Sequence, residues 1–414
     1  MTALRTPNFR RLWLAGLISD TGDWLLLASL PILVYQFTGS TLGTAAAFLV
    51  ELIPPVLLAP LVGRIADLWD RRRTLMIVSL LQALALIPLL FVHARADLPI
   101  VYVVIALEAA LASAFDPTKN ALLPTLVAND ELVSANSLVG LNQNIGRLVG
   151  APIGGLLLAI GGGLTGVVVV DAASFLVAVA LIGRLTHVPG KVPTLHVAAG
   201  NAADPPRGWR SALAPRVIRG GLATLLLASV AQGLFVVLFV VFVARALHGD
   251  STEIGTLRGV QAIGAIAGGL LLAVASRIAP ARLTAISAIA FGLVELAIWN
   301  APQLTTAVPV YVVLFIVAGI PGVAMVTGLL SVVQRATPDG RRGTVFAAFG
   351  VAASVGQAVG MIGGGLLGDR LGVVAVLNGQ AVLYLLAGAV ATRWLTRPSI
   401  PVEPVPAPAK QLSG

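Results

Sequence analysis

Five charged side chains lie deep inside segments that are otherwise almost entirely apolar. Asp20 and Asp23 interrupt the apolar run from Leu12 to Phe37. A helix rises about 1.5 Å per residue, so these two acids would lie roughly 13 to 17 Å from the start of that run, and their spacing of three places them on one helix face. The others, at comparable depth in later apolar runs, are Glu51, Glu108 and Arg147.

These residue types indicate proton chemistry. An ionised side chain at the centre of a bilayer costs at least about 2.5 to 3.5 kcal/mol, so five of them favour a central aqueous cavity over plain packing. Burial favours the neutral form of a carboxyl group, whereas a neighbouring cation favours its charged form. With four acids against one arginine, at least one carboxyl group can bind and release a proton.

We therefore expect Asp23 or Asp20 to be the principal proton carrier. Glu51 and Glu108 would be auxiliary carriers or substrate contacts, and Arg147 would adjust the proton affinity of the acids. The alternative is that some of these charges form static pairs, either with Arg147 or with neighbouring asparagines.

The composition indicates that these charged residues belong to a membrane protein. Of 414 residues, 57% are hydrophobic and only 11% charged, and the mean hydropathy is +0.94, which is far from that of a soluble domain. A span needs about 20 apolar residues. Twelve segments qualify, approximately 12–36, 41–63, 74–93, 99–116, 134–160, 164–186, 220–246, 254–275, 283–299, 308–333, 345–367 and 373–395. The predicted fold class is therefore an all-α integral membrane protein with twelve transmembrane helices.

The net charge of +9 follows from membrane topology. If the N-terminus is cytoplasmic, most of the 27 Lys and Arg residues fall in cytoplasmic segments, Lys119 among them, while Arg95, Arg245 and Arg370 fall outside. The positive-inside rule then explains the charge without a nucleic-acid partner. We expect both termini to be cytoplasmic, in a multi-pass protein of the inner (cytoplasmic) membrane.

The chain divides into two similar halves. Residues 187–219 are polar, basic and rich in Pro and Gly, which predicts a cytoplasmic linker between an N-terminal six-helix bundle (1–186) and a C-terminal one (220–396). The Pro-rich residues 397–414 predict a disordered tail. "GAPIGGLL" from Gly150 matches "GMIGGGLL" from Gly360, so the bundles are predicted to be parallel repeats. At that offset the five central charges have uncharged counterparts, namely Val230, Gly233, Gln261, Ala318 and Gln357.

A charged loop separates the second and third segments. It reads "GRIADLWDRRRTL" and contains Gly63, Asp67, Asp70, Arg71 and Arg72. We expect Asp67 to lie near a helix N-terminus, where the macrodipole favours an acid, and the arginines to pair with acids or with carbonyl ends of helices. Such contacts could gate transport. Simple positive-inside anchoring is the alternative for the arginines.

These motifs resemble the major facilitator superfamily. The loop is similar to its Gly-x-x-x-Asp-x-x-Gly-Arg-Arg/Lys motif, with Asp70 in place of the second glycine. Further matching pieces are "NFRRLWLAGLISDTGDW", "FDPTKNALLPTLV", "VVDAASFLVA" and "VVQRATPDGRRGTVFA". The fifth segment resembles the antiporter signature Gly-Pro-x-x-Gly-Gly with its proline shifted by one position. Its residues are Gly146, Gly150, Pro152, Gly154 and Gly155. Plain helix packing also explains small residues at this spacing.

The resemblance is greatest to macrolide efflux proteins and enterobactin-type exporters. It implies two six-helix bundles around a central cavity, working by alternating access as a monomer without a cofactor or metal. It also implies proton-coupled efflux of bulky lipophilic or cationic small molecules, with export of a siderophore or movement of a lipid as the alternatives. A membrane receptor is a remote alternative. An enzyme is disfavoured, because the chain has no cysteine and no histidine well inside a span.

Overall fold

A computed structural model describes residues 3–160, 163–186, 212–274 and 278–396. These residues form helices and no strands, which confirms the all-helical prediction. The long helices are α1 (Pro7–Thr38), α2 (Thr41–Leu68), α3 (Arg71–Ala85), α4 (Leu98–Leu122), α5 (Leu132–Ala159), α6 (Gly163–Gly183), α7 (Arg216–Ala246), α8 (Ser251–Val274), α9 (Pro280–Asn300), α10 (Val308–Ala336), α11 (Arg342–Leu371) and α12 (Val373–Leu395).

Eleven of the described helices are long and apolar enough to cross a membrane. The twelfth is α5, which has 28 residues but carries a polar stretch from Asn142 to Arg147. The α3 span continues past Ala85 through a short 3-10 helix, Ile87–Phe91. Most of the predicted linker and the whole predicted tail lie outside the described residues, so those domain boundaries remain predictions.

One boundary prediction was wrong in a way that affects the site. The fourth span was expected to end at residue 116, but α4 continues to Leu122. Pro117 lies inside this helix, and a single proline can be accommodated in a membrane helix. Lys119 is therefore not a loop residue. It lies in α4 and is 3% exposed.

The packing of the helices repeats between the halves. In the first half, α1 packs on α5 and α6, α2 packs on α4, and α3 packs on α4 and α6. In the second half, α7 packs on α11 and α12, α8 on α10, and α9 on α10 and α12. Each of these contacts recurs six helices later, as two bundles of one architecture require.

Glycines allow α5 to lie directly on the backbone of α1. A Cβ atom at Gly146 would lie 2.8 Å from the carbonyl oxygen of Asp20, and one at Gly150 would collide with the carbonyl oxygen of Thr21. Gly360 of α11 is in the same position against Val230 of α7. Close approach of this kind is what small residues provide in membrane helices.

These contacts also correct the alignment of the repeats. Gly150 contacts Thr21, and its counterpart Gly360 contacts Val230, which is one residue earlier in α7 than an unbroken offset gives. The counterpart of Asp23 is therefore Gln232 rather than Gly233. An amide thus stands in the second half where the first half has an acid.

The two halves meet through α5 with α8 and through α2 with α11. A Cβ atom at Gly155 would collide with the carbonyl oxygen of Ser251, and one at Gly365 would lie 2.7 Å from Cβ of Ala45. These contacts lie towards the end of the molecule that carries the α1–α2, α7–α8 and α11–α12 turns. We call it the outer end, because the charge distribution predicts that it faces away from the cytoplasm.

Candidate functional site

Three of the predicted central acids line one cavity. It has a volume of about 210 Å³, and Asp23 of α1, Glu51 of α2 and Glu108 of α4 line it together with Asp116 and Gln143. Glu108 is 8% exposed, whereas the side chain of Asp116 is 55% exposed. We call this the acid cavity. Its lining reaches from the interior of the first bundle to the molecular surface near the C-terminal end of α4.

Asp20 is paired with a cation that lies outside the predicted set. Nζ of Lys119 lies 3.9 Å from Oδ1 of Asp20 and 2.7 Å from Oδ1 of Asp116. Nε2 of Gln143 also donates a hydrogen bond of 3.0 Å to Oδ1 of Asp20. The buried lysine thus connects a buried acid with an exposed one.

Arg147 does not join the acids as expected. It lines a second cavity of about 270 Å³ between the halves, together with Trp24 of α1, Arg258 of α8 and Glu295 of α9. We call this the arginine cavity. The separation arises because α5 is packed between α1 and α8, so that its polar stretch contributes Gln143 to one cavity and Arg147, one turn later, to the other.

A short chain of contacts connects the two cavities. Gln143 accepts a hydrogen bond of 3.2 Å from Nε1 of Trp24 while its amide group donates to Asp20. The guanidinium groups of Arg147 and Arg258 lie 5.6 and 5.9 Å from the Trp24 ring centroid. A third cavity of about 200 Å³ is lined by both Glu51 and Arg258. The two cavities are therefore separated by only one or two side chains.

Five charged residues that the central set omitted belong to this region. Lys119 was missed because the predicted fourth span ended at residue 116, and Asp116 was missed because it was the last residue of that span and not a central one. The sequence feature that pointed to Arg258 and Glu295 is that each is a single charge in an apolar run of the second half. Asp171 of α6 is fully buried, accepts a hydrogen bond of 3.3 Å from Oγ of Ser174 and lies against Gly22, next to Asp23.

The charged loop holds helix ends together. Asp70 caps α3 by accepting a hydrogen bond of 2.8 Å from the backbone nitrogen of Arg73. Arg71 donates to the carbonyl oxygen of Ala121 at 2.9 Å, and Arg72 donates to the carbonyl oxygens of Ile182 and Gly183. These contacts place cations at the C-terminal ends of α4 and α6, where the helix dipole favours them.

The expected position of Asp67 was wrong. α2 continues to Leu68, so Asp67 lies in the last turn of a helix rather than at a helix N-terminus. The residue at a helix N-terminus is Asp70. The described part of the structure does not extend to the side-chain surroundings of Gly63 and Asp67, so a gating role for the loop remains a prediction.

Polar contacts close the outer end between the two halves. Arg245 of α7 donates hydrogen bonds of 2.8 Å each to the hydroxyl group of Tyr35, the carbonyl oxygen of Gly39 and Oδ1 of Asp369. The hydroxyl group of Thr41 lies 2.7 Å from Oδ2 of Asp369. We call these five residues the outer latch, because they join α1 and α2 to α7 and α11.

Two six-helix bundles with polar cavities within and between them define a secondary transporter of the major facilitator class. A family model described as "Transmembrane secretion effector" matches residues 1–405. The chain therefore belongs to the transmembrane secretion effector family of the major facilitator superfamily. It is a multi-pass membrane transporter of small molecules and not an enzyme.

The relatives of the chain include named efflux pumps. It is 29% identical over 390 residues to the multidrug efflux pump Tap of Mycolicibacterium fortuitum, covering 91% of this chain and 93% of the relative. Tap of Mycobacterium tuberculosis is 30% identical over 403 residues, with 94% and 93% covered. The lysophospholipid transporter LplT of Cronobacter sakazakii is 31% identical over 145 residues, which is 34% of each chain.

Solved structures share the fold. A bacterial homologue of the iron transporter ferroportin in its inward-facing state gives a TM-score of 0.71 at 19% identity, covering 94% of this chain and 99% of that one. A structure of such a homologue in its outward-facing state gives 0.62 at 20% identity, with 94% and 100% covered. The backbone arrangement is thus more similar to the inward-facing form.

Proposed function

We propose that this protein exports bulky lipophilic small molecules, cationic ones included, across the inner membrane in exchange for protons. The observation that carries the proposal is the acid cavity, in which Asp23, Glu51 and Glu108 from three helices line one space that reaches the surface at Asp116. Ionisable side chains inside membrane spans are expensive and mark proton or substrate pathways.

The pairing of charges supports Asp23 and Glu108 as the proton-binding groups. Lys119 is held between Asp20 and Asp116, whereas no cation lies within 4.0 Å of Asp23 or Glu108 among the described residues. A carboxyl group that is held in a salt bridge has its charge fixed. One without a cation partner can take up a proton from one side and release it to the other as access changes.

Alternating access supplies that change. The outer latch and the contacts of α5 with α8 close the outer end, which is the arrangement of an inward-facing transporter. The higher similarity to the inward-facing solved structure supports the same assignment. Protons would enter from outside only after the latch opens, and the substrate would be loaded from the cytoplasmic side.

The named relatives support the substrate class. Two are called multidrug efflux pumps and match over nearly the whole chain, which favours export of lipophilic compounds. Movement of a lipid is the second candidate, favoured by the partial match to a lysophospholipid transporter. We further propose that the protein works as a monomer, since each chain contains both bundles.

Transport by the purified chain in proteoliposomes tests the proton coupling. We expect an imposed pH gradient to drive uptake of a lipophilic cation such as ethidium, and Asp23→Asn to abolish that gradient-driven flux while exchange without a gradient persists. The matched control is Asp130→Asn, which changes an exposed acid in the α4–α5 connection. Flux that responds neither to the gradient nor to Asp23→Asn would contradict proton coupling.

A further inference from the structure

The arginine cavity contains two guanidinium groups that lack an anion. Among the described residues, Arg258 makes no hydrogen bond or ion pair, and its charge lies against the rings of Phe235, Phe239 and Trp24 at 5.2, 5.8 and 5.9 Å. Arg147 donates one long hydrogen bond of 3.4 Å to Asn144, and its Nε is buried without a partner. A guanidinium group has five N–H donors, so nearly all of these donors are unused.

The described acids of the region make no ion pair with either arginine. Glu295 lines the same cavity, is 2% exposed and has an unpartnered Oε2. Glu51 lines the adjoining 200 Å³ cavity. Among the described residues, neither of these carboxylates makes an ion pair within 4.0 Å with Arg147 or Arg258.

Two like charges that line one partly buried cavity repel each other, and an anion bound beside both would relieve that repulsion. The planar fork of arginine matches a carboxylate or phosphate group with two parallel hydrogen bonds. Gln261 lines the same cavity and contributes a buried Nε2 that is also without a partner. The cavity thus offers several N–H donors that have no partner among the described residues, and they lie beside the aromatic rings that Arg258 contacts.

We propose that the arginine cavity binds an oxyanion, a carboxylate or a phosphate ester, that is carried by a lipophilic substrate. The anionic group lies between Arg147 and Arg258, and the apolar body of the molecule packs on Trp24 and the phenylalanine rings. The accepted substrates then include lipophilic acids and zwitterions in addition to cations. This assignment deepens the proposed function and rests on it for the direction of movement, but not for binding.

Binding to the full-length protein in detergent tests the proposal without requiring transport. The probes are a fluorescent lipophilic carboxylic acid and its methyl ester, which share one apolar skeleton. We expect the acid to bind about tenfold or more tightly than the ester, in line with the strength of charge-assisted hydrogen bonds. Equal affinity of acid and ester for the wild-type protein would overturn the proposal, whatever the variants do.

Variants assign the effect to the two arginines. Arg258→Gln and Arg147→Gln should each remove most of the preference for the acid, because they lower the affinity for the acid far more than the affinity for the ester. The matched control is Arg335→Gln, at an exposed position in the last turn of α10, which should keep the wild-type preference. A loss of affinity that is the same for acid and ester in the cavity variants would contradict the assignment.

Competition separates the two sources of the oxyanion. Displacement of the acid probe by lysophosphatidic acid supports a lipid phosphate, and displacement only by other lipophilic carboxylates supports a drug-like acid. Displacement by neither would overturn the proposal. Failure of proton-driven flux would remove the coupling mechanism while leaving the acid preference intact, so the two proposals fail separately.

Discussion

Lys119 shows how a single buried cation can organise the acids of this transporter. Its Nζ lies between Asp20, whose side chain is 4% exposed, and Asp116, whose side chain is 55% exposed. Removing one partner of a buried pair leaves an uncompensated charge and costs about 3 to 5 kcal/mol. An exposed pair contributes about 1 kcal/mol or less. The two acids should therefore respond differently to mutation.

We expect Lys119→Met to lower the free energy of unfolding by about 3 kcal/mol, since it leaves Asp20 buried without its cation. The double variant Asp20→Asn with Lys119→Met should recover most of that loss, because neither charge then remains alone. Asp116→Asn is the control and should change stability by about 1 kcal/mol or less. Thermal unfolding in detergent measures all four proteins. A double variant no more stable than Lys119→Met would contradict a buried ion pair.

The position of a residue along its helix could be predicted from the sequence, but its neighbours could not. Asp23, Glu51 and Arg147 lie well inside long helices, as their places in the apolar runs predicted. The direction in which each side chain points depends on the rotation of its helix, which is set by packing partners distant in the chain. That is why Arg147 lies beside Arg258 of the other half and not beside the acids.

At the level of helices, the prediction was good for long apolar runs and poor at their ends. Hydropathy located the twelve helices, since a span must be about 20 residues long. The hydropathy pattern predicted that the fourth span ends before Lys119 and the second span before Asp67. Charged residues in the last turns of a helix have a low hydropathy, as loop residues do. For this reason Lys119 was predicted to lie in a loop, whereas it lies in the last turns of α4.

The glycine face of α5 provides a test at the same level. Gly150→Ala should lower stability by about 1 to 3 kcal/mol, because the new Cβ would meet the carbonyl oxygen of Thr21 in α1, and a backbone atom cannot move aside as a side chain can. Gly360→Ala should behave alike against Val230. The folded fraction after heating, measured by size-exclusion chromatography, reports the loss.

Gly140→Ala is the matched control for this series, since Gly140 lies in the same helix with nothing within 4 Å of a new Cβ. It should leave stability unchanged or raise it by up to about 1 kcal/mol, the gain expected from replacing a helical glycine. If Gly140→Ala and Gly150→Ala were equally stable, α5 would not lie as close to α1 as the structure places it.

At the scale of the whole molecule, the outer latch joins the two halves at the outer end. Three hydrogen bonds cross between the halves at this end: Arg245 donates to Tyr35 and to Gly39, and Thr41 donates to Asp369. The ion pair of Arg245 with Asp369 lies within the second half and orients both side chains. Because these two side chains are 40% and 41% exposed, the net contribution of the crossing bonds is about 1 kcal/mol. A contact of that strength can hold one state and still be broken once per transport cycle.

Arg245→Gln should therefore shift the equilibrium towards the outward-facing state about fivefold, which is the population change that about 1 kcal/mol produces. Because the chain has no cysteine, Arg73→Cys and Arg282→Cys provide unique spin-label sites near the inner ends of the two bundles, and their separation should shorten as the outer end opens. Arg370→Gln, at an exposed position next to Asp369, is the control and should keep the wild-type distances. Electron-spin resonance measures the distribution of distances between the two spin labels. If Arg245→Gln leaves this distribution unchanged, the contacts of α5 with α8 hold the outer end closed without the latch.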